Sequence, residues 1–268
     1  MKRHLLLMLF CGLLLTLSAQ KETLTSPDRQ LFVEIDGSSG QLQYTVYMSG
    51  FPFLKNCNIG IELDNGTVLG RSPKVTKIER RSVNKEVDAC FYRKNKVKDQ
   101  YNELVIRFKG NFQVIFRAYN SGIAYRFVTK MKDSVIVQHE TAEFNFENLH
   151  KDDLRALIPY INRKPAENGD FSEQYCTSFE NVYSDTSLRD MEDNRLAFLP
   201  LLVSQSYFDI REENLSELDS LRRRFAVITE ADLHDYPGMY LKHTEGNSMI
   251  GCFAPLPKKW EQGGHNNL

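Results

Sequence analysis

Glu230 and Asp232, in the run Thr229-Glu230-Ala231-Asp232-Leu233-His234-Asp235-Tyr236, form the acidic pair whose spacing most directly suggests chemistry. Two carboxylates flanking a glycosidic bond can hydrolyse it, one as acid and one as base or nucleophile. On a strand, residues two apart share a face and lie about 7 Å apart, inside the separation that inverting hydrolysis uses. The opposing reading is turn chemistry, because Asp235-Tyr236-Pro237-Gly238 follows at once. The sequence has no Gly-x-Ser-x-Gly elbow, phosphate-cradling glycine loop, His-Glu-x-x-His pair or EF-hand loop. Its six histidines are scattered, and His4 stands in the leader.

A second group lies between Arg163 and Asp193. There Phe171, Tyr175, Phe179 and Tyr183 stand beside Asp170, Glu173, Glu180 and Asp185. A polar-aromatic connection of that length is uncommon in a compact domain unless it has a function. Tyr175, Phe179 and Tyr183 could serve as flat platforms for sugar rings, so a carbohydrate-binding module is one reading of this stretch.

The elements that must position these residues read as strands. From Asn102 to Thr129, Leu104, Ile106 and Phe108 alternate with Val105, Arg107 and Lys109. Gly110-Asn111 is expected as a two-residue type II′ turn, after which Phe112, Val114, Phe116 and Ala118 share a face. Asn120-Ser121-Gly122 turns the chain again into Ile123–Val128, which completes an antiparallel meander. Further strands are expected at 30–35, 41–48, 59–63, 87–93, 134–139, 196–203, 225–229, 238–242 and 249–253. A helical pattern is confined to Arg211–Arg223, where Leu215, Leu218 and Leu221 fall three apart among charges. A dozen or more short strands suit an all-β chain folded as one large antiparallel β-sandwich.

Composition sets the outer limits. Lys2, Arg3 and His4, the apolar stretch Leu5–Leu17 and Ser18-Ala19-Gln20 read as a secretory signal peptide over residues 1–20. That implies export across the inner membrane to the periplasm. Without Lys2 and Arg3 the chain has 32 basic and 35 acidic residues. So balanced a charge excludes an electrostatic nucleic-acid binder or a polybasic membrane-surface protein. Cys57, Cys90, Cys176 and Cys252 match no zinc or redox spacing. They read as buried thiols, with disulfide pairing left open.

Several motifs resemble a known family. They are Tyr101-Asn102-Glu103-Leu104, Phe116-Arg117-Ala118-Tyr119-Asn120-Ser121-Gly122 with Ile123–Phe127, and Ile228-Thr229-Glu230-Ala231-Asp232-Leu233-His234-Asp235-Tyr236-Pro237-Gly238 with Met239–Leu241. With Leu24–Asp28 at the start and Phe253–Pro257 at the end, they resemble the N-terminal domain of glycoside hydrolase family 97. Residues 204–224 are the least family-like part.

The resemblance implies an α-glucosidase or α-galactosidase family and a two-sheet β-super-sandwich similar to galactose mutarotase. It implies a partner too, a (β/α)8 catalytic barrel in cis or on a separate chain. The expected domains are 21–255 for the sandwich and 256–268 for the start of a linker toward that barrel. Phe179-Glu180-Asn181-Val182-Tyr183 resembles the segment that carries a calcium-ligating glutamate, so Glu180 is the metal-site candidate and calcium the cofactor. The barrel would supply the catalytic carboxylates, leaving this chain with no catalytic residue of its own and no activity alone. A domain built to sit on a barrel should also expose an apolar patch, bordered by Trp260 and residues 255–257. The leading reading is an accessory domain for a glycosidase acting on oligosaccharides. The rivals are the free-standing carbohydrate-binding module and an enzyme using Glu230 and Asp232.

Overall fold

The computed structural model describes residues 21–89, 93–147, 154–176, 180–204, 224–231 and 236–254. The chain opens with β1 (Glu22–Thr25), β2 (Leu31–Asp36), β3 (Gln43–Met48), β4 (Phe51–Leu63) and β5 (Val68–Leu69). The meander follows as β6 (Val75–Asp88), β7 (Lys96–Phe108), β8 (Phe112–Tyr119) and β9 (Gly122–Thr129), and then comes β10 (Val137–Asn145). Shorter strands complete the chain: β11 (Arg155–Ile158), β12 (Ser184–Ser187), β13 (Leu201–Ser204), β14 (Phe225–Ile228), β15 (Met239–His243) and β16 (Ser248–Phe253). Two 3-10 turns, Ser172–Cys176 and Leu188–Asp190, flank β12.

Three antiparallel sheets result. The largest runs β1-β2-β3-β4-β10-β16-β15, with β5 paired to β4; the others are β6-β7-β8-β9 and β12-β11-β13-β14. Both four-stranded sheets cover the same face of the large one. Ile59 and Ala142 are directly paired on that face, yet Ile59 packs against β7 and β8 while Ala142 packs against β11 and β13. The expected sandwich is therefore present, and its second layer is divided into two sheets lying side by side.

The meander forms as its alternation dictates. Leu104, Ile106 and Phe108 face inward beside Val114, Phe116 and Ala118, all buried. Phe116 pairs with Leu104 on one side and Tyr125 on the other, so β8 is a central strand. The turn differs from the expectation. It is the three-residue Lys109-Gly110-Asn111, with both Gly110 (φ 102°) and Asn111 (φ 59°) in the left-handed region, where a type II′ turn places only its first central residue. Gly70 is fixed more tightly. Its φ is 99°, and a Cβ there would meet the Ile59 carbonyl oxygen at 2.8 Å.

Three expected strand boundaries move, and one strand was not expected. The strand expected at 87–93 is instead β6, which ends at Asp88; its run of lysines, arginines and glutamates hides a two-residue period. The strand expected at 134–139 begins at Val137 and continues to Asn145. The one expected at 196–203 pairs continuously only from Leu201, since Pro200 has no N–H to give a ladder. Within 163–193 the short β12, Ser-Asp-Thr-Ser, has no apolar residue to announce it. Residues 1–20, the helical pattern at 211–223, Cys90, Phe179, Asp232 and the segment 255–268 with Trp260 lie outside the described residues.

Candidate functional site

Glu180 is exposed on the connection between the Ser172–Cys176 turn and β12. The turn is fastened from beneath. Buried Gln174 donates from Nε2 to the Asn194 carbonyl at 2.7 Å, and its Oε1 accepts the Leu196 N–H at 3.0 Å. Phe171 lies under the Lys242 ammonium at 4.7 Å, and Tyr175 meets Tyr240 edge-on at 5.2 Å between ring centres. Downstream, β12 is held by pairing with β11 and by Arg155, which donates to Asp185 at 2.7 Å from Nη2. Glu180 thus lies in the chain between an anchored turn and the paired strand β12.

Its neighbours face solvent as well. Val182 is 81% exposed and Tyr183 49% exposed, although the Tyr183 hydroxyl donates to the Pro200 carbonyl at 3.4 Å. Of the three expected sugar platforms, Phe179 lies outside the described residues. Tyr175 is drawn into a small cluster with Ile161, Leu196, Cys252 and Tyr240, and burial pushes its phenol up. Of the three aromatics, Tyr183 alone is described as a surface ring.

Among the described residues no three His, Cys, Asp or Glu side chains converge as a metal site. Calcium takes six to eight oxygens. An exposed carboxylate is the right kind of donor for that ion, and one carboxylate is too few to hold it. Glu180 alone therefore makes no calcium site among the described residues.

Of the Glu230 and Asp232 pair, only Glu230 is among the described residues. β14 ends at Ile228, so Glu230 lies beyond the strand and the same-face spacing does not apply. Glu230 Oε1 accepts the Met239 N–H at 2.8 Å, which closes the base of the loop between β14 and β15. Burial pushes the Glu230 carboxyl up. The carboxylate that the structure sets near it is Glu140 of β10, which sequence reading passes over. The Tyr236 hydroxyl donates to Glu140. Burial pushes the Glu140 carboxyl above the ordinary range, and the Glu230 charge adds to that shift. Tyr125 of β9 is raised by burial and then by the Glu140 charge. The only sequence sign of Glu140 is an acidic residue on the same side of β10 as Ala142 and Phe144, which are buried.

Two of the three described cysteines are the expected buried thiols, whereas Cys176 is exposed at the end of its 3-10 turn. Cys57, Cys176 and Cys252 are free thiols, with Cys57 and Cys252 buried, and burial pushes Cys57 up to about 12. Such a thiol holds its proton and is inert.

This architecture has recognisable counterparts. The glycosyl-hydrolase 97 N-terminal domain matches residues 24–261. A retaining alpha-galactosidase of Bacteroides thetaiotaomicron is 38% identical over 270 residues, covering all of this chain and 38% of the relative. The chain thus spans well under half the length of that relative. A glycoside hydrolase family 97 enzyme from Pseudoalteromonas sp. strain K8, solved with acarbose, superposes with a TM-score of 0.64 at 21% identity, over 87% of this chain and 32% of that one. A beta-arabinopyranosidase gives 0.67 at 17% identity, over 87% and 35%. At those identities the two structures speak for the fold. The family match and the 38% identical relative speak for descent: this chain belongs to glycoside hydrolase family 97, as its N-terminal domain.

Proposed function

We propose that this sandwich is the accessory domain of an α-glycosidase acting on oligosaccharides, and that it donates Glu180 to a calcium ion shared with a (β/α)8 catalytic domain. The observation that carries the reading is the placement of Glu180, a surface carboxylate between an anchored turn and the paired strand β12. A second domain seated over Glu180 would also cover Val182, an 81% exposed side chain with no other evident use. The bound ion would supply positive charge at the active-site rim. Glu180 and the backbone that holds it would fix where that charge sits. The name of the 38% identical relative supports α-galactosides as one substrate class. The N-terminal pattern of Lys2 and Arg3 before Leu5–Leu17 supports export to the periplasm.

Calorimetry on the 268-residue chain tests the metal reading. The expected result is calcium binding no tighter than about millimolar, the weak end of protein calcium sites, and its loss in Glu180→Gln, which keeps the shape and removes the charge. Micromolar binding that survives Glu180→Gln would place a complete site elsewhere and end the assignment.

A further inference from the structure

The inner face of the meander packs on the large sheet through Leu104, Ile106, Val114 and Phe116. Alternate residues therefore turn outward, and on that outer face the charges are uneven. Arg81 and Arg117 share Glu103, and Lys77 and Arg107 share Glu79. Lys85 stands 3.6 Å from Asp99. Arg126, exposed on β9, has no acidic partner among the described residues. The pairing register sets all of these on one face. Six bases thus meet three acids, in a chain whose acids outnumber its bases.

The charges are fixed in position. Glu103 is buried beneath its two arginines, and Arg117 lies on the Tyr101 ring at 4.5 Å. Arg126 stands across from Ile115, one row along from Arg117. Gln113, two residues from Ile115 on the same face, is buried, and its Oε1 has no hydrogen-bond donor among the described residues. Turned outward, that oxygen would accept a hydroxyl. Where four strands pair, no large apolar side chain of this face is exposed; Val87 and Val97 lie farther out, on the two-stranded end. Protein contact sites have centres depleted of charge, and a second copy would bring the same positive excess. Membrane-surface binding needs apolar side chains to insert. The face suits a hydroxylated anion better than any of these.

We propose that the outer face of the meander binds an acidic polysaccharide, with Arg126, Arg117 and Arg107 receiving its carboxylates. Guanidinium groups match the geometry of a carboxylate and keep their charge. The face lies away from Glu180. The turn before Glu180 rests on Tyr240 of β15, whereas the meander packs on β1 and β2, at the other edge of the large sheet. A catalytic domain seated over Glu180 is therefore at the far edge of the sandwich. Choosing a sugar polymer rests on the glycosidase reading; choosing an anion rests on the charges alone.

Isothermal titration of the 268-residue chain with polygalacturonate, in EDTA and about 20 mM salt, is the test. Binding should be measurable there and weaken at least about tenfold by about 200 mM salt. Arg126→Glu should weaken it at least about fivefold and flatten the salt dependence, with far-UV circular dichroism unchanged. Lys77→Glu, on the same face, should also weaken it. Lys164→Glu, the same change of charge on an exposed lysine of the other half, should leave it intact. Any of five results would overturn the proposal: no binding at low salt, equal binding of neutral dextran, binding that survives both Arg126→Glu and Lys77→Glu, an equal loss in Lys164→Glu, or tighter binding to phosphatidylglycerol vesicles, which would make the face a membrane contact. Glu180→Gln should change nothing, so failure here and failure of the metal reading are separable.

Discussion

The half of the sandwich built on β6–β9 and the half built on β11–β14 share one large sheet and differ in almost everything else. In the first, β6 and β7 run for 14 and 13 residues and pair from Val75 to Asp88. In the second no strand of the small sheet exceeds four residues. The outer face of the first is a charge lattice. Glu103, 2% exposed, receives Arg81 at 2.6 Å and Arg117 at 2.7 Å, and Arg117 lies over the Tyr101 ring at 4.5 Å. The outer face of the second is apolar at Leu157, Phe225 and Val227. The residues that the sequence marks for a role, Glu180, Tyr183 and Glu230, belong to the second half. Long paired strands and dense burial supply local stability, and segments with few buried contacts are where binding sites can be placed.

The largest test of this contrast is Phe116→Ala. Phe116 is fully buried in the first core and touches the Tyr44 and Tyr125 rings, so its truncation should cost about 3–5 kcal/mol through cavity formation. A loss below about 1 kcal/mol in denaturant titration would put β8 out of register by one residue.

Two buried carboxylates provide a smaller and sharper test, because their environments oppose each other. At Glu103 burial works to raise the carboxyl, and Arg81 and Arg117 outweigh it, so the net shift is downward. A depressed carboxyl contributes stability above its unfolded pKa, about 4.3, and loses it as pH falls through the folded value. At Glu140 burial dominates and the shift is upward. That contribution is present below the unfolded pKa and is lost as pH rises through the folded value. Glu103→Gln should therefore cost about 1–2 kcal/mol at neutral pH and little in acid. Glu140→Gln should gain on the wild type as pH rises from 4 to 7. Thermal unfolding across that range measures both, and slopes of the same sign in the two variants would break the comparison.

The smallest effect is expected at Tyr183→Ala. Its ring is half exposed and its hydroxyl's hydrogen bond to the Pro200 carbonyl is long, so stability should change by less than about 0.5 kcal/mol. A loss above about 1 kcal/mol would mean that the Glu180 connection is part of the folding core.

The meander was legible because its apolar residues alternate and its turns carry Gly110 and Gly122. β6 was not, since a strand exposed along most of its length needs no apolar face. β12 was not either, because four polar residues are held in place by β11 rather than by their own propensity. Glu180 was identifiable through family resemblance and through the failure of alternation around it. The packing of Tyr175 on Tyr240 was not legible, because an aromatic ring in a polar stretch looks the same whether it faces solvent or folds back. Glu140 was missed because its significance depends on Tyr236 and Glu230, residues about ninety positions away.

By itself the sequence determined the class of this protein. Two-residue periodicity dictates strands, near-neutral charge excludes a nucleic-acid binder, and the motifs from Tyr101 to Leu241 identify the family, all properties of residues and their near neighbours. Only the tertiary structure decided how the second layer divides into two sheets, which aromatics are spent on packing, and which carboxylate meets Glu230. Those depend on contacts between residues far apart in the chain, and nothing in local spacing encodes which distant side chain will lie opposite.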